Sequence, residues 1–275
     1  MAEPFRARLA TAVAQRGGLC AGIDPSAASL EKWSLPDTAA GATEFAMRCL
    51  EALAGHVGAV KPNAAFYEQF GSPGLRALES VLAAARELGV LTVGDAKRGD
   101  IASTNAAYAR AWLASDSPLS VDAVTVSPYL GAGALSPFFE LAEREGRGVL
   151  VVVRSSNIEG RDVQGARRDD GRPLEVALLD EVRARPDSVG AVIGLMAGAA
   201  PLALPEAGFY LAPGLLTQGA EWADFGRQFA GMASATVLVN LSRPFVTAGP
   251  DPNALRDVAR ESTEKVAAQL RQPTG

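Results

Sequence analysis

Leu91-Thr-Val-Gly-Asp95-Ala-Lys97-Arg-Gly-Asp100-Ile101-Ala-Ser-Thr104 opens as a short apolar strand, Leu91 to Val93, and ends in charges that lead into a helix. Asp95 and Lys97 are two apart, so on an extended backbone they project from the same face. Asp100 follows the turn at Arg98-Gly99, which gives carboxylate, ammonium and carboxylate close together at the end of a buried strand. Charges at an exposed strand end often do little, since surface ion pairs are worth about 0–1 kcal/mol. Asp100 also suits a purely structural N-cap. Three features favour a site instead. The strand is apolar, Gly94 and Gly99 allow a close approach to the backbone, and polar residues recur at the ends of the other strands.

Outward from this run, the same unit repeats. Towards the N-terminus, Phe5, Leu9 and Val13 have helical spacing and stop at Gly17-Gly18, as a helix closing the bottom of a fold would. Leu19–Ile23 reads as a strand ending in Asp24-Pro25, residues 26–38 as a loop, and 39–54 as a helix. Val57–Val60 reads as a strand ending in Lys61-Pro62-Asn63. Towards the C-terminus the expected strands are 123–126, 149–153, 189–193, 208–211 and 236–239, with helices near 101–114, 135–145, 173–185 and 252–270. Residues 157–172, rich in Gly, Arg and Asp, form the longest excursion. Eight strands alternating with helices, without a linker, predict a single (β/α)8 barrel domain over residues 1–275. A doubly wound sheet would carry a glycine fingerprint after its first strand, where this chain has Asp24-Pro25. In a barrel the site lies at the C-terminal strand ends. Here these ends carry Asp24, Lys61, Asp95, Lys97, Ser127, Ser156, Gln218 and Arg243.

Composition narrows the function classes. The chain has 275 residues, 48% of them hydrophobic, enough for a full barrel core. A net charge of −5 offers no basic surface for nucleic acid. No apolar run reaches the roughly 20 residues of a membrane helix, and the N-terminus lacks an apolar signal core. Cys20 and Cys49, without metal-ligand spacing, fit free thiols in a reducing cytoplasm. His56, the only histidine, sits in a helix-to-strand turn. A catalytic triad, a zinc site or a histidine base would have to use it.

The run from Asp95 to Thr104 closely resembles the signature of the orotidine 5′-phosphate decarboxylase family, an Asp-x-Lys-x-x-Asp pattern followed by Ile-x-x-Thr. Gly22-Ile-Asp24-Pro, Lys61-Pro-Asn-Ala-Ala-Phe-Tyr-Glu68, Arg-Ser-Ser156-Asn, Ala-Pro213-Gly-Leu-Leu-Thr-Gln218-Gly and Ser242-Arg243 fall in family order. The wording is most similar to the longer bacterial branch. The resemblance implies conversion of orotidine 5′-monophosphate (OMP) to UMP and CO2, the last step of pyrimidine synthesis, without metal or other cofactor, in a homodimer with shared sites. It implies that Asp24 and Lys61 hold the ribose hydroxyls and orient the charges, and that Asp95 lies beside the substrate carboxylate. It makes Lys97 the proton donor to C6, and has Asp100 and Thr104 reach across the dimer interface. Ser156 would contact the pyrimidine amide edge, with Ser155 as the alternative if the strand is shifted by one. Gln218 would be the lid residue bridging base and phosphate, and Arg243 the phosphate clamp, aided by backbone N–H groups near Ser242. Ile101, Pro213 and Gly219 complete the implied substrate-binding set.

Two other readings compete. Metal-using relatives share the barrel and the motif and act on sugar phosphates by enediolate chemistry. They need acidic Mg²⁺ ligands, typically a Glu at the second strand end, where this chain has Lys61. A non-catalytic nucleotide-phosphate binding barrel would have no need of the Asp95-Lys97-Asp100 charges.

Overall fold

The computed structural model describes residues 2–216 and 219–272. Eight parallel strands close into a barrel in sequence order. They are β1 (Leu19–Ile23), β2 (Ala59–Pro62), β3 (Leu91–Arg98), β4 (Ala123–Val126), β5 (Gly148–Arg154), β6 (Val189–Ile193), β7 (Tyr210–Ala212) and β8 (Val237–Leu241). β8 pairs back onto β1, with Leu19 opposite Val239. Helices including Ala39–Leu53, Gly71–Glu87, Ala102–Leu113 and Pro252–Leu270 form the outer layer.

The core has two compartments. A large apolar ring lies between strands and outer helices, where Trp33, Trp112, Phe45 and Phe138 are buried. A smaller cluster fills the barrel's lower interior. It joins Phe5, Leu9 and Val13 of the helix Phe5–Arg16 to Cys20, Ala59, Val93, Ala123, Leu150 and Leu238. The N-terminal helix therefore closes the bottom, as its spacing predicts, and Phe5 meets Phe209 edge-on at 5.0 Å. Strand side chains alternate between the interior and the helices. One inward step above Ala59, Val93, Ala123 and Leu238 come Lys61, Asp95, Thr125 and Asn240. The interior is thus apolar below and polar above, which places chemistry at the upper mouth.

Several boundaries differ from the sequence expectation. β2 begins at Ala59, because His56 to Gly58 turn the chain out of the preceding helix. β3 runs on to Arg98 through an irregular register between Gly94 and Arg98. The expected loop 26–38 contains a helix, Ala27–Lys32, whose first turn is capped by the Ser26 side chain accepting from Ser29 N. Helices Trp222–Phe229 and Arg243–Ala248 were not apparent from periodicity. No helix among the described residues is long and apolar enough to cross a membrane.

Candidate active site

Asp95 is the hub of the upper layer. Its Oδ2 accepts from Lys61 Nζ at 2.9 Å, and its Oδ1 accepts from Lys97 Nζ at 2.5 Å and Thr125 Oγ1 at 3.0 Å. Lys61 Nζ also lies 3.9 Å from Asp24 Oδ1, and Asp24 Oδ2 accepts from Ser242 Oγ at 2.7 Å. The result is a continuous array from β8 through β1 and β2 to β3. The Lys61 side chain is 4% exposed and that of Lys97 54% exposed, so one ammonium is sealed inside and the other faces the mouth.

Lys97 reaches Asp95 by a route the sequence did not suggest. Its backbone is at φ +44°, in the left-handed region, and its N–H donates to Thr125 Oγ1 at 3.0 Å. A lysine held there costs on the order of 1–3 kcal/mol, and such strain concentrates at functional positions. Thr125 therefore holds both the backbone of Lys97 and the carboxylate it meets.

Burial alone would raise the Asp95 pKa. The nearby charges of Lys61 and Lys97, with their hydrogen bonds, outweigh it and hold the carboxyl well below the usual range. Burial would likewise neutralise Lys61, but Asp24 and Asp95 raise its pKa above the ordinary lysine value. Both groups are fixed charges at any working pH.

These residues line a cavity of about 520 Å³, within the usual 300–1,000 Å³ range for small-molecule sites. Asp24, Lys61, Asp95, Lys97, Ser156, Pro213, Ser242 and Arg243 all border it. Ser155 borders it too, but its hydroxyl is engaged by Gln164 Nε2 at 2.9 Å. Arg243 opens the short helix Arg243–Ala248, next to Ser242. Gln218 lies outside the described residues; Gly219, at φ +79°, is not among the cavity-lining residues.

Asp100 departs from the expected carboxylate–ammonium–carboxylate cluster. Its Oδ1 accepts from Ile101 N at 2.7 Å, and its backbone is clasped by the Asn105 side chain, which also donates to Ala134 O. No ion pair joins it to Lys97 among the described residues. Asp100, Ile101 and Thr104 do not border the cavity, and Ile101 is 60% exposed. The structural alternative, Asp100 as helix N-cap, is not realised either, since Asp100 precedes the N-cap residue Ile101, whose side chain makes no cap bond. Gly94 and Gly99 are explained by packing rather than by a ligand. A Cβ at Gly94 would meet the Trp112 ring, and one at Gly99 the Ser127 carbonyl.

The sequence reading missed Thr125, Asn63, Ser26, Phe66 and Asn240, with an apolar wall of Val152, Val192 and Leu211. Thr125 and Asn240 carried a signal, each being a polar residue two positions after an inward apolar one. Asn240 Oδ1 and Asp24 Oδ1 are buried without a hydrogen-bond partner.

A lysine–carboxylate array at the mouth of a (β/α)8 barrel, beside an arginine at the eighth strand end, defines an enzyme-type site for a small anionic ligand. A family model described as the orotidine 5′-phosphate decarboxylase / HUMPS family matches residues 17–258. The orotidine 5′-phosphate decarboxylase of Salinispora tropica is 49% identical over 264 residues, covering 94% of this chain and 95% of the relative. That of Streptomyces coelicolor is 45% identical, covering 98% of each chain. A crystallised Streptomyces avermitilis chain assigned to the same activity superposes with a TM-score of 0.92 at 46% identity, covering 98% of this chain and 97% of that one. The chain belongs to the orotidine 5′-phosphate decarboxylase / HUMPS family.

Proposed function

We infer that this chain decarboxylates OMP to UMP, the closing step of pyrimidine nucleotide synthesis, acting as one barrel domain. The observation that carries the reading is the array Asp24, Lys61, Asp95 and Lys97 in one cavity. Loss of CO2 from C6 leaves an electron pair in the plane of the pyrimidine ring, where the π system cannot spread it. The remedy is a fixed positive charge at that carbon. Lys97 supplies it and then gives its proton to C6. Asp95 keeps the ammonium aimed and sets a negative charge beside the substrate carboxylate, a repulsion that loss of CO2 relieves. Lys61 keeps Asp95 ionised, and Asp24 Oδ1 offers an open acceptor for a ribose hydroxyl. Ser156 reads the pyrimidine amide edge. Lys61 also favours this reading over metal-assisted enediolate chemistry, because an ammonium stands where that chemistry needs a cation ligand. The test is the absorbance change on mixing the protein with OMP in EDTA. UMP should form at an unchanged rate; no conversion of OMP with or without EDTA would contradict the reading, and loss of turnover on chelation would show that a metal takes part.

Arg243, with the backbone at Ser242, grips the phosphate far from the reacting carbon. Binding energy from such a remote group is expressed in the rate as well as in affinity. Arg243→Ala should raise KM and lower kcat for OMP, each by about tenfold or more, since charged hydrogen bonds contribute about 1.5–3 kcal/mol. Changes within threefold in both would remove the clamp.

Two copies would complete the site. Asp100, Ile101 and Thr104 do not line their own cavity, and Tyr129 and Leu130 are exposed in the segment after β4 that Asn105 ties to the same helix. A homodimer that puts Asp100 and Thr104 into the neighbouring cavity would cover this apolar surface. Free buried thiols fit a cytoplasmic setting.

A further inference from the structure

We propose that Gln164, in the polar excursion after β5, is a positioning residue that decides which of two adjacent serines reads the bound base. The proposal rests on Ser156 as the base contact. Two consecutive serines at a strand end present their hydroxyls to different sides. Whichever hydroxyl is tied down leaves the other for ligand. Here the excursion folds back and spends both ends of one amide on Ser155. Gln164 Oε1 accepts from Ser155 N at 3.0 Å, and Gln164 Nε2 donates to Ser155 Oγ at 2.9 Å. Ser155 is thereby held at backbone and side chain, and Ser156 is left facing the cavity.

The surroundings enforce this choice. A Cβ at Gly160 would lie 2.5 Å from Ser155 Oγ, one at Gly194 2.3 Å from Ser156 N, and one at Gly214 2.6 Å from Ser156 Cβ. Three separate loops thus approach the serine pair as closely as glycine permits. Below it, the guanidinium of Arg154 is buried and forked onto Glu175, with Nε to Oε2 at 2.9 Å and Nη2 to Oε1 at 2.8 Å. Its Nη1 donates to Ala200 O at 2.8 Å. Arg154 therefore joins the end of β5 to the helix that follows the excursion and to the loop after β6. The excursion, which has no assigned role from sequence, is a brace for base recognition.

The test compares two ligands that share the ribose phosphate but differ in the base, UMP and ribose 5-phosphate. Calorimetric titration of Gln164→Ala should show UMP binding weakened about tenfold and ribose 5-phosphate binding changed less than twofold. Gln164→Glu, which can still accept from both Ser155 groups, should recover most of the UMP affinity. Equal effects on the two ligands, or no effect on either, would overturn the proposal. Ser156→Ala serves as the control. If it too leaves the ratio of the two affinities unchanged, the base-contact reading of Ser156 falls; if it shifts the ratio and Gln164→Ala does not, only the role of Gln164 falls.

Discussion

Lys97→Ala is expected to lower kcat for OMP by about 10⁴-fold or more while the protein stays folded. A positioned acid contributes about 10²–10⁴ in rate, and one preorganised electrostatic donor about 10²–10³. Lys97 is assigned both tasks, so their combined loss is large. The fold should tolerate the change for reasons visible in the array. The lysine side chain is half-exposed, and without it Asp95 still holds Lys61 at 2.9 Å and Thr125 at 3.0 Å. Backbone strain supplies a control. At φ +44° glycine is the comfortable residue, so Lys97→Gly should be more stable than Lys97→Ala yet equally inactive. Thermal melts and initial rates on the two variants separate the backbone from the ammonium. Substantial turnover in either would remove Lys97 as the proton donor.

Asp95→Asn should damage both stability and rate. The change leaves Lys61 buried with only Asp24, 3.9 Å away, as a charge partner. Breaking a buried pair from one side typically costs about 3–5 kcal/mol, which for a chain of this size is a Tm drop of about 10 °C. The pH dependence follows from the directions of the two shifts. Asp95 titrates lower in the folded state than the roughly 3.9 of an unfolded aspartate, so its contribution is full above about pH 4 and is lost as pH falls through the folded value. Lys61 titrates higher when folded than an unfolded lysine, near 10.4, so its contribution is full below that pH and is lost as pH rises through the folded value. The stability gap between wild type and Asp95→Asn should therefore stay open from pH 5 to 9 and narrow below pH 4. A gap that closes near neutrality would contradict an ionised Asp95.

The barrel is legible in the sequence because buried parallel strands are nearly continuous apolar runs and most of them end in a polar residue. The same logic locates Asp24, Lys61, Asp95, Lys97 and Arg243 from sequence alone. What escaped had a physical reason in each case. β3 looked short because Asp95 and Lys97 interrupt its apolar run, yet its backbone continues past them through a bulge. Thr125 was hidden inside a four-residue strand, where one polar side chain looks like tolerated core. The helix Trp222–Phe229 did carry a signal, the reciprocal cap between Glu221 and Asp224, but it is too short for periodicity to stand out. Asp100 misled because sequence proximity to Lys97 suggested contact, whereas the turn at Gly99 sends its carboxylate to Ile101 N. Gln164 could not be found from its surroundings, since nothing local ties it to a serine nine residues earlier.

The central claim, that an ammonium at position 97 performs the chemistry, can be tested by removing it and restoring it. Lys97→Cys, treated with 2-bromoethylamine, regains a side chain of nearly lysine length and charge. The native thiols should not interfere: Cys20 and Cys49 are buried, and burial pushes the Cys20 thiol up to about 12. The account predicts a nearly inactive Lys97→Cys variant whose OMP turnover rises by at least a hundredfold on alkylation. Full alkylation by mass spectrometry with no recovery, or high activity before alkylation, would contradict it.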